Sequence, residues 1–386
     1  MISAPVYEVN LYINGALVGD CRSIAENLTY TRRRTRFGAD SIGFTLNDVI
    51  FERWCKQRNY DINDLLKPLA LECRLKRNGV DIVGGFLATM PEYSPLNKSA
   101  ELNMVFDGYL NLLAGVYIRN TTTNLPLGSV TEAGGTMVKN LIDLANTISS
   151  AAGKGYGFTA GTIDVLPSIT NTFDNYKTVK EFICERCDNI TGAGQFDVYF
   201  YPNKTYDIKA DANFGDTITD WIAYYPAILN GVSATSISAP EVTGFYSAII
   251  GLGAGDVSSN ADENTAIFEF SKNNDAISDY GYFEGMYQDS SISTAAVLQR
   301  NMNAELKYNS NPEWRPEITL HGKQVAPIPT GSSKIWIGDT ITVQNDQDIT
   351  GMTSGTFRVN ELKVDISAAG DETITPTLER IDAVQE

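Results

Sequence analysis

The single histidine is the first residue whose side chain could carry out chemistry. His321 lies in the strand-like pattern ITLHGK. A catalytic histidine needs a nucleophile to activate, and a metal-binding histidine needs further ligands. No Gly-x-Ser-x-Gly motif supplies a nucleophile. We therefore expect a structural or surface role for His321, and we predict no catalytic residue in this chain.

Cys184 and Cys187 form a C-x-x-C motif within a helical pattern. A zinc site would need a second cysteine or histidine pair at similar spacing, and none is present. A redox motif would open a helix just after a strand, whereas this pair is predicted to fall mid-helix beside an apolar stripe. The five cysteines are odd in number and scattered. We expect free, mostly buried thiols rather than a disulfide framework.

Two loops resemble ligand sites incompletely. Gly251–Asp256 (GLGAGD) follows an apolar strand but lacks the third glycine of a dinucleotide fingerprint. Asp346–Thr350, followed by a glycine, resembles a calcium loop, but its twelfth position is Phe357 and not glutamate. We predict loops at both places, with no cofactor and no metal. A weak ion site near Asp346–Thr350 is left open.

One sharp basic cluster interrupts the first third of the chain: Arg32, Arg33, Arg34 and Arg36. A nucleic-acid arm would need interleaved stacking aromatics, and only Tyr30 and Phe37 are near. Arginine forms bidentate pairs with carboxylates, which favours an interface to an acidic neighbouring subunit. A solvated loop has about equal weight at this stage.

Composition restricts the class of protein further. The chain has 386 residues, 43% of them hydrophobic, and a formal net charge of -17. Two to four domains are expected at this length. The first 207 residues carry 20 basic and 22 acidic side chains, whereas the rest carry 10 and 25. Such an acidic C-terminal half is poorly suited to gripping nucleic acid. No targeting or membrane-spanning segment is visible, so synthesis in a cytoplasm is expected.

Strand patterns occupy both ends of the chain. In the first block, Asn14-Gly15 and Asn78-Gly79 predict hairpin turns, and Asn47-Asp48 predicts a helix start. The centre combines two helices with a hairpin through Pro202-Asn203. Further strands and a helix from about Thr294 to Tyr308 lead to a final strand-rich block. The pattern predicts a mainly β protein with α+β parts.

The order of these segments resembles phage tail-tip or baseplate hub proteins, as in siphophage tail tips and contractile-tail baseplates. The first block contributes NLYING, SIGFTLND before a short helix, and the CRLKRNG hairpin leading to GGFLATMPEY. The centre contributes FDNYKTVKEFICERCDNITGAGQFDVYFYPNKTYDIKA. SAIIGLG, ISDYGYFEG, GDTITV and FRVNELKVDIS follow. The order of the motifs, rather than any one of them, carries the resemblance.

The resemblance implies two tail-tube-like β-barrel or sandwich domains and a mixed α/β central domain. The expected boundaries are 1–115 for the first β domain and 116–230 for the centre, with 257–312 as an alternative continuation of the centre. The second β domain would join 231–256 to 313–386. Three copies would then form a ring of six β domains. Because the chain ends soon after the last block, lytic or adhesive activity is expected on another polypeptide.

The resemblance also implies partners and a location. We expect a structural virion protein at the tail tip, not an enzyme. It would contact its own copies, a distal tail or tail tube protein, a central fibre or spike protein, and the tape measure protein. DNA would be present only in transit, past acidic side chains of both β domains. The alternatives are a distal tail ring protein and a receptor- or carbohydrate-binding tail module. A peptidoglycan hydrolase, which needs a carboxylate pair in a cleft, is disfavoured.

Overall fold

The computed structural model describes most of the chain, namely residues 5–91, 101–173, 176–187, 196–226, 232–237, 245–255, 265–289, 292, 294–310, 318–347 and 354–381. It divides into two compact units. The larger unit comprises Met1–Ile237 and Glu317–Glu386, and the smaller unit comprises Ser238–Pro316. Each has its own hydrophobic core.

The first β block forms from alternating strand patterns separated by turn residues. Its elements are β1 (Tyr7–Ile13), β2 (Ala16–Asp20), β3 (Ala25–Arg33), β4 (Ser41–Asn47), α1 (Asp48–Lys56), α2 (Ile62–Leu65), β5 (Leu71–Arg77), β6 (Val80–Leu87) and β7 (Glu101–Gly108). Asn14 and Asn78 adopt positive φ at the hairpin turns, as their Asn-Gly pairs predict. Asn47 caps α1 by accepting from the Ile50 N–H at 3.1 Å.

The centre builds a second core of the larger unit. Its elements are β8 (Gly128–Ala133), α3 (Gly134–Ala151), β9 (Thr159–Ile163), β10 (Ser168–Phe173), α4 (Val179–Arg186), β11 (Phe196–Phe200) and β12 (Thr205–Ala210), followed by the short β13 (Ala223–Tyr225), β14 (Val232–Ser233) and β15 (Ser236–Ile237). Met137 and Leu141 of α3, one helical turn apart, are both buried in this core. The predicted hairpin through Pro202-Asn203 is confirmed by the β11–β12 pairing.

The smaller unit contains a three-stranded sheet and two helices among its described residues. They are β16 (Ala248–Leu252), β17 (Phe268–Lys272), α5 (Asn274–Tyr280), β18 (Glu284–Gln288) and α6 (Ala295–Asn309). The predicted boundaries grouped β16 with the last β block. In the structure, β16 lies at the centre of the smaller unit's sheet, between β17 and β18.

The last block returns to the larger unit with β19 (Ile318–His321), β20 (Thr340–Asn345), β21 (Gly355–Ile366) and β22 (Glu372–Arg380). Within the strand-rich last block, the apolar run KIWIG is a buried loop, which Asp339 organises by accepting from the Trp336 N–H at 2.9 Å. An apolar run indicates burial, but it does not by itself specify an extended backbone.

The two β blocks share one sheet. Among the described strands its path runs β14-β13-β20-β21-β3-β4-β7-β6-β5-β1-β2, and β22, β19 and β15 branch from β21. The mainly β class is therefore confirmed. No sheet of the described residues closes on itself, so two separate tube-like barrels remain a prediction.

Candidate functional site

The strand β21 changes its partner halfway along its length. Residues 355–358 pair with β20, whereas residues 361–366 pair with β3. The buried residue Asn360 lies between these two stretches. There the Arg34 N–H donates to the Asn360 carbonyl at 3.0 Å, and the Gly338 N–H donates to the Val359 carbonyl at 2.7 Å. This fork is where the last β block joins the first.

Arg34 occupies the fork as a buried cation. Its Nε and Nη2 donate to one carboxylate oxygen of Asp197 at 2.9 and 2.7 Å, and Nη2 also pairs with Asp211. A third contact joins Nη1 to Asn360 Oδ1 at 3.3 Å. Burial disfavours the guanidinium charge, but the neighbouring carboxylates of Asp197 and Asp211 outweigh it and raise the pKa of Arg34. The guanidinium of Arg34 therefore stays charged, and its contacts connect the two β blocks to the centre.

Arg32 lies on the same face as Arg34, because alternate residues along an extended strand point the same way. It is buried, pairs with Asp40 at 2.9 Å, and lies over the Tyr199 ring at 4.4 Å. Burial raises the pKa of Asp40, although Arg32 acts in the opposite direction. Arg33 points to the other face, where it meets Glu361 at 2.6 Å and remains 27% exposed.

Each arginine of the cluster pairs with a carboxylate of the same chain, so the predicted pairing with an acidic neighbouring subunit is wrong. Arg36 completes the set by pairing with Glu379 of β22. The predicted chemistry, arginine paired with carboxylate, is nevertheless found. Sequence reasoning missed the acidic partners, which lie far along the chain. One signal was available for Asp197, because it is a lone charge in the otherwise apolar strand FDVYF.

A second buried ion pair joins β5 to β22. Arg77 donates to both oxygens of Glu372, from Nε at 2.6 Å and from Nη2 at 2.9 Å. The Tyr7 hydroxyl donates to the same carboxylate. Gly322 lies against Glu372, where a Cβ would collide with the carboxylate. Burial and the neighbouring charges raise the pKa of Tyr7, which keeps it a neutral donor.

The smaller unit differs from the larger one, because one face of its sheet carries exposed apolar side chains. Helix α6 covers the face that carries Ile249, which is fully buried. On the other face Phe268, Phe270 and Met286 are 53%, 42% and 65% exposed. This surface of β17 and β18, with Ile250 and Leu252 of β16 between them, is called the open face.

Comparison with known proteins gives two findings. Residues 239–375 match the family model described as prophage endopeptidase tail. The fold matches the 43 kDa tail protein of prophage MuSo2 from Shewanella oneidensis, with a TM-score of 0.60 at 12% identity over 97% of this chain and 98% of that one. The chain has the fold of a prophage tail protein. The resemblance to the phage tail-tip family is thus confirmed.

Two further tail proteins share this fold. One is the tail protein from Neisseria meningitidis MC58, with a TM-score of 0.58 at 12% identity over 97% of this chain and 96% of that one. The other is prophage tail protein gp18 from Listeria monocytogenes EGD-e, with a TM-score of 0.51 at 12% identity over 97% and 95%. No curated protein sequence matches the chain.

The sequence-predicted chemical residues are not brought together in this tail-protein fold. His321 is exposed at the end of β19, opposite Thr373. Cys184 is half-buried on α4, with its sulfur 3.6 Å from the Thr35 carbonyl oxygen. Cys187 is buried at the end of α4, so the motif lies at the helix end and not mid-helix.

The two loop motifs fall partly outside the described residues. Gly251 belongs to β16, and the fingerprint-like run ends at Asp256, which is not described. Asp346 accepts from Gln344 Nε2 at 2.9 Å, while residues 348–353 are not described. No cluster of three or more potential metal ligands occurs among the described residues. Over those same residues, no helix is long and apolar enough to cross a membrane.

Proposed function

We propose that this chain is a structural virion protein that forms the hub ring at the distal end of a phage tail tube. Three copies would supply six tube-like β domains and so match a sixfold tube. The tail-protein fold and the family match over residues 239–375 support this assignment. Two β domains around a mixed centre stay part of the proposal, with β16 grouped with the smaller unit and not with the second β domain.

The fork at β21 is the observation that carries the proposal. A ring segment must hold its two β blocks at a constant spacing while the tail is loaded. Here the blocks share a sheet, and the buried Arg77–Glu372 pair joins them. Arg34 of the first block contacts Asn360 of the last block and pairs with Asp197 of the centre. Breaking either pair would leave an uncompensated buried charge, which opposes any hinge opening between the blocks.

The proposed hub would join the tube or distal tail ring on one side to the central fibre or spike on the other. The tape measure protein and the genome would pass through it. Side chains lining that channel should be acidic, because each phosphate held by a lysine or arginine slows DNA passage. The arginine cluster is compatible with this idea, since its buried members are engaged within the chain.

The direct test is the symmetry of purified tail tips. Cryo-electron microscopy should find three copies of this chain in one ring, with the 1–115 block and the last block superposing on a common β topology. Charges mapped onto that ring should give an acidic lumen. A sixfold ring with one β domain per chain would favour a distal tail ring protein instead, and a basic lumen would contradict the DNA-passage part.

We also propose that the chain has no enzymatic role of its own. Replacing exposed His321 by Ala should change the free energy of unfolding by less than about 0.5 kcal/mol. Replacing Cys184 and Cys187 by Ser should cost roughly 1 kcal/mol per site. Tail assembly should be unchanged in both variants. Loss of a cell-wall-degrading activity in either variant, with normal assembly, would overturn this part.

A receptor- or carbohydrate-binding role is the second candidate, and one observation favours it. Tyr117 and Tyr176 are both about half exposed and form an edge-to-face pair with ring centroids 6.4 Å apart. Exposed aromatic rings can stack on sugars. Glycan-array binding that disappears in Tyr176→Ala, while assembly persists, would support this role.

A further inference from the structure

The smaller unit is inserted between two strands of the larger unit that pair with each other. Strand β15 leads out of the larger unit, β19 leads back into it, and the two strands are antiparallel neighbours. Ile237 lies opposite Ile318, and Ser236 lies opposite Thr319. The Cα atoms of such opposed residues are about 4.5–5.5 Å apart. The larger unit therefore requires of the insertion only that its two ends lie close together.

The base of the insertion, formed by β15 and β19, is fastened within the larger unit. The Thr235 N–H donates to the Thr319 carbonyl at 2.8 Å, and the Ser236 hydroxyl donates to Thr319 Oγ1 at 2.9 Å. Ile318 is fully buried in the core of the β blocks, and β19 also pairs with β22. All of these contacts join residues of the larger unit. They can therefore persist when the smaller unit opens.

The smaller unit has fewer buried side chains than the larger one. Its described core comprises five of them: Ile249, Ile292, Leu298, Met302 and Leu306. The larger unit has two cores, each much larger than this one. Three short strands with one exposed face lie near the lower limit of independent stability. Regions with few buried apolar contacts open at a lower free energy than the rest of a protein, so the smaller unit should open first.

We propose that the smaller unit opens and closes as a separate cooperative unit, while the larger unit keeps its sheet and its buried ion pairs. A second step rests on the proposed hub function: the ring is built by the larger units alone. The smaller unit is then free to change its conformation or its partner while the ring stays closed. The insertion thus separates the part of the chain that must stay rigid from a part that need not.

Hydrogen exchange of the full-length protein, followed peptide by peptide, tests the separation. Leu298 in α6 and Leu362 in β21 are both fully buried, so Leu298→Ala and its matched control Leu362→Ala remove the same atoms from the two units. Leu298→Ala should speed exchange of the slowest β16 and α6 amides by at least about 30-fold and leave β3 and β21 unchanged. Leu362→Ala should have the converse effect. Faster exchange of β3 and β21 in Leu298→Ala would overturn the proposal.

A disulfide at the base of the insertion tests whether the larger unit needs the smaller one to hold β15 and β19 together. The Ser236 and Thr319 hydroxyl oxygens are 2.9 Å apart, so cysteines at these positions are close enough to bond. In S236C/T319C/L298D, the charge buried by Leu298→Asp opens the smaller unit. The native cysteines are free, so reduction breaks only the engineered bond. Exchange of β19 and β22 should be the same in the oxidised and reduced forms, as in the control S236C/T319C. Protection that is lost only when the triple variant is reduced would contradict the proposal.

Purified tails that carry Leu298→Asp separate this inference from the hub proposal. The ring should be present in them at the wild-type copy number, because the larger unit is intact. If wild-type tails contain the ring and Leu298→Asp tails lack it, the ring depends on the smaller unit. The second step of the inference is then wrong, and the hub proposal stands. If wild-type tails contain a single copy, the hub proposal fails, and hydrogen exchange still decides whether the two units open separately.

Discussion

The larger and smaller units treat polar and apolar side chains in opposite ways. At the β21 fork, the larger unit buries Arg34 and Asp197 and satisfies them with each other. The smaller unit leaves Phe268 and Phe270 exposed on a sheet face. Buried charges must be paired within the fold, whereas exposed aromatic rings are best explained by a partner. The larger unit thus pairs its buried charges within the chain, whereas the smaller unit carries apolar rings on an exposed sheet face.

The largest effect should come from Arg34. Arg34→Met leaves Asp197 buried without its cation, which should lower the free energy of unfolding by about 3–5 kcal/mol. Urea unfolding of the full chain measures the loss in the larger unit. The adjacent Arg33→Met is the matched control, because its single pair with Glu361 is partly exposed and should cost less than about 1 kcal/mol. Equal losses in the two variants would mean that the fork does not depend on the buried cation.

A similar loss is expected at the second buried pair. Glu372→Gln removes the charge that neutralises Arg77 and should cost roughly 3 kcal/mol. Its neighbour Asp371 is partly exposed and pairs with Lys323 at 2.6 Å, so Asp371→Asn should change stability by less than about 0.5 kcal/mol. Differential scanning calorimetry of both variants checks the contrast. A small effect at Glu372 would show that shared sheet pairing alone holds the blocks together.

Sequence reasoning predicted the features that depend on neighbouring residues. The Asn14-Gly15 turn, the Asn78-Gly79 turn and the Asn47 helix cap were all readable, because each is determined within a few residues. The Arg34–Asp197 pair was not, since its members are 163 residues apart and only the fold brings them together. When two residues lie far apart in sequence, no local signal indicates which acidic side chain will pair with which basic one.

The open face was also beyond sequence reasoning, for a different reason. The strand β16 was readable as an apolar run, but periodicity indicates only that one face of a strand is apolar. It cannot indicate whether α6 or another chain covers that face. In β17 the helix lies on the Ser271 side, so the apolar side stays open. The placement of a single helix therefore decides which surface is available to a partner.

The two faces of this sheet should respond differently to truncation. Ile249→Ala removes a buried side chain beneath α6 and should destabilise the smaller unit by about 2–3 kcal/mol. Phe270→Ala, on the open face, should change the unfolding of the isolated full chain by less than about 0.5 kcal/mol. Hydrogen exchange of the β16 amides measures both. Strong protection loss in Phe270→Ala would mean that the open face is already covered within one chain.

The smallest expected effect concerns an exposed charge of the larger unit. It tests whether such charges contribute as little to the free energy of unfolding as the comparison implies. Thr178 and Glu181 form a capping box at the start of α4, with the Glu181 carboxylate accepting from the Thr178 N–H at 2.8 Å. That hydrogen bond lowers the pKa of Glu181 below its ordinary value of 4.5. The folded state therefore holds the proton less tightly than the unfolded state. The stabilisation is complete above the ordinary value and is lost as the pH falls through the lower folded value.

The matched variant for this test is Glu181→Gln, which keeps the capping geometry but cannot titrate. At neutral pH it should be less stable than wild type by no more than about 0.5–1 kcal/mol, the usual size of a capping contribution. The difference should shrink when both proteins are unfolded in urea at a pH below the folded pKa of Glu181, because the wild-type carboxyl is then protonated too. If the difference instead stayed constant with pH, the contribution would lie in packing rather than in charge. A difference as large as that of Arg34→Met would remove the contrast between buried and exposed charges on which the comparison rests.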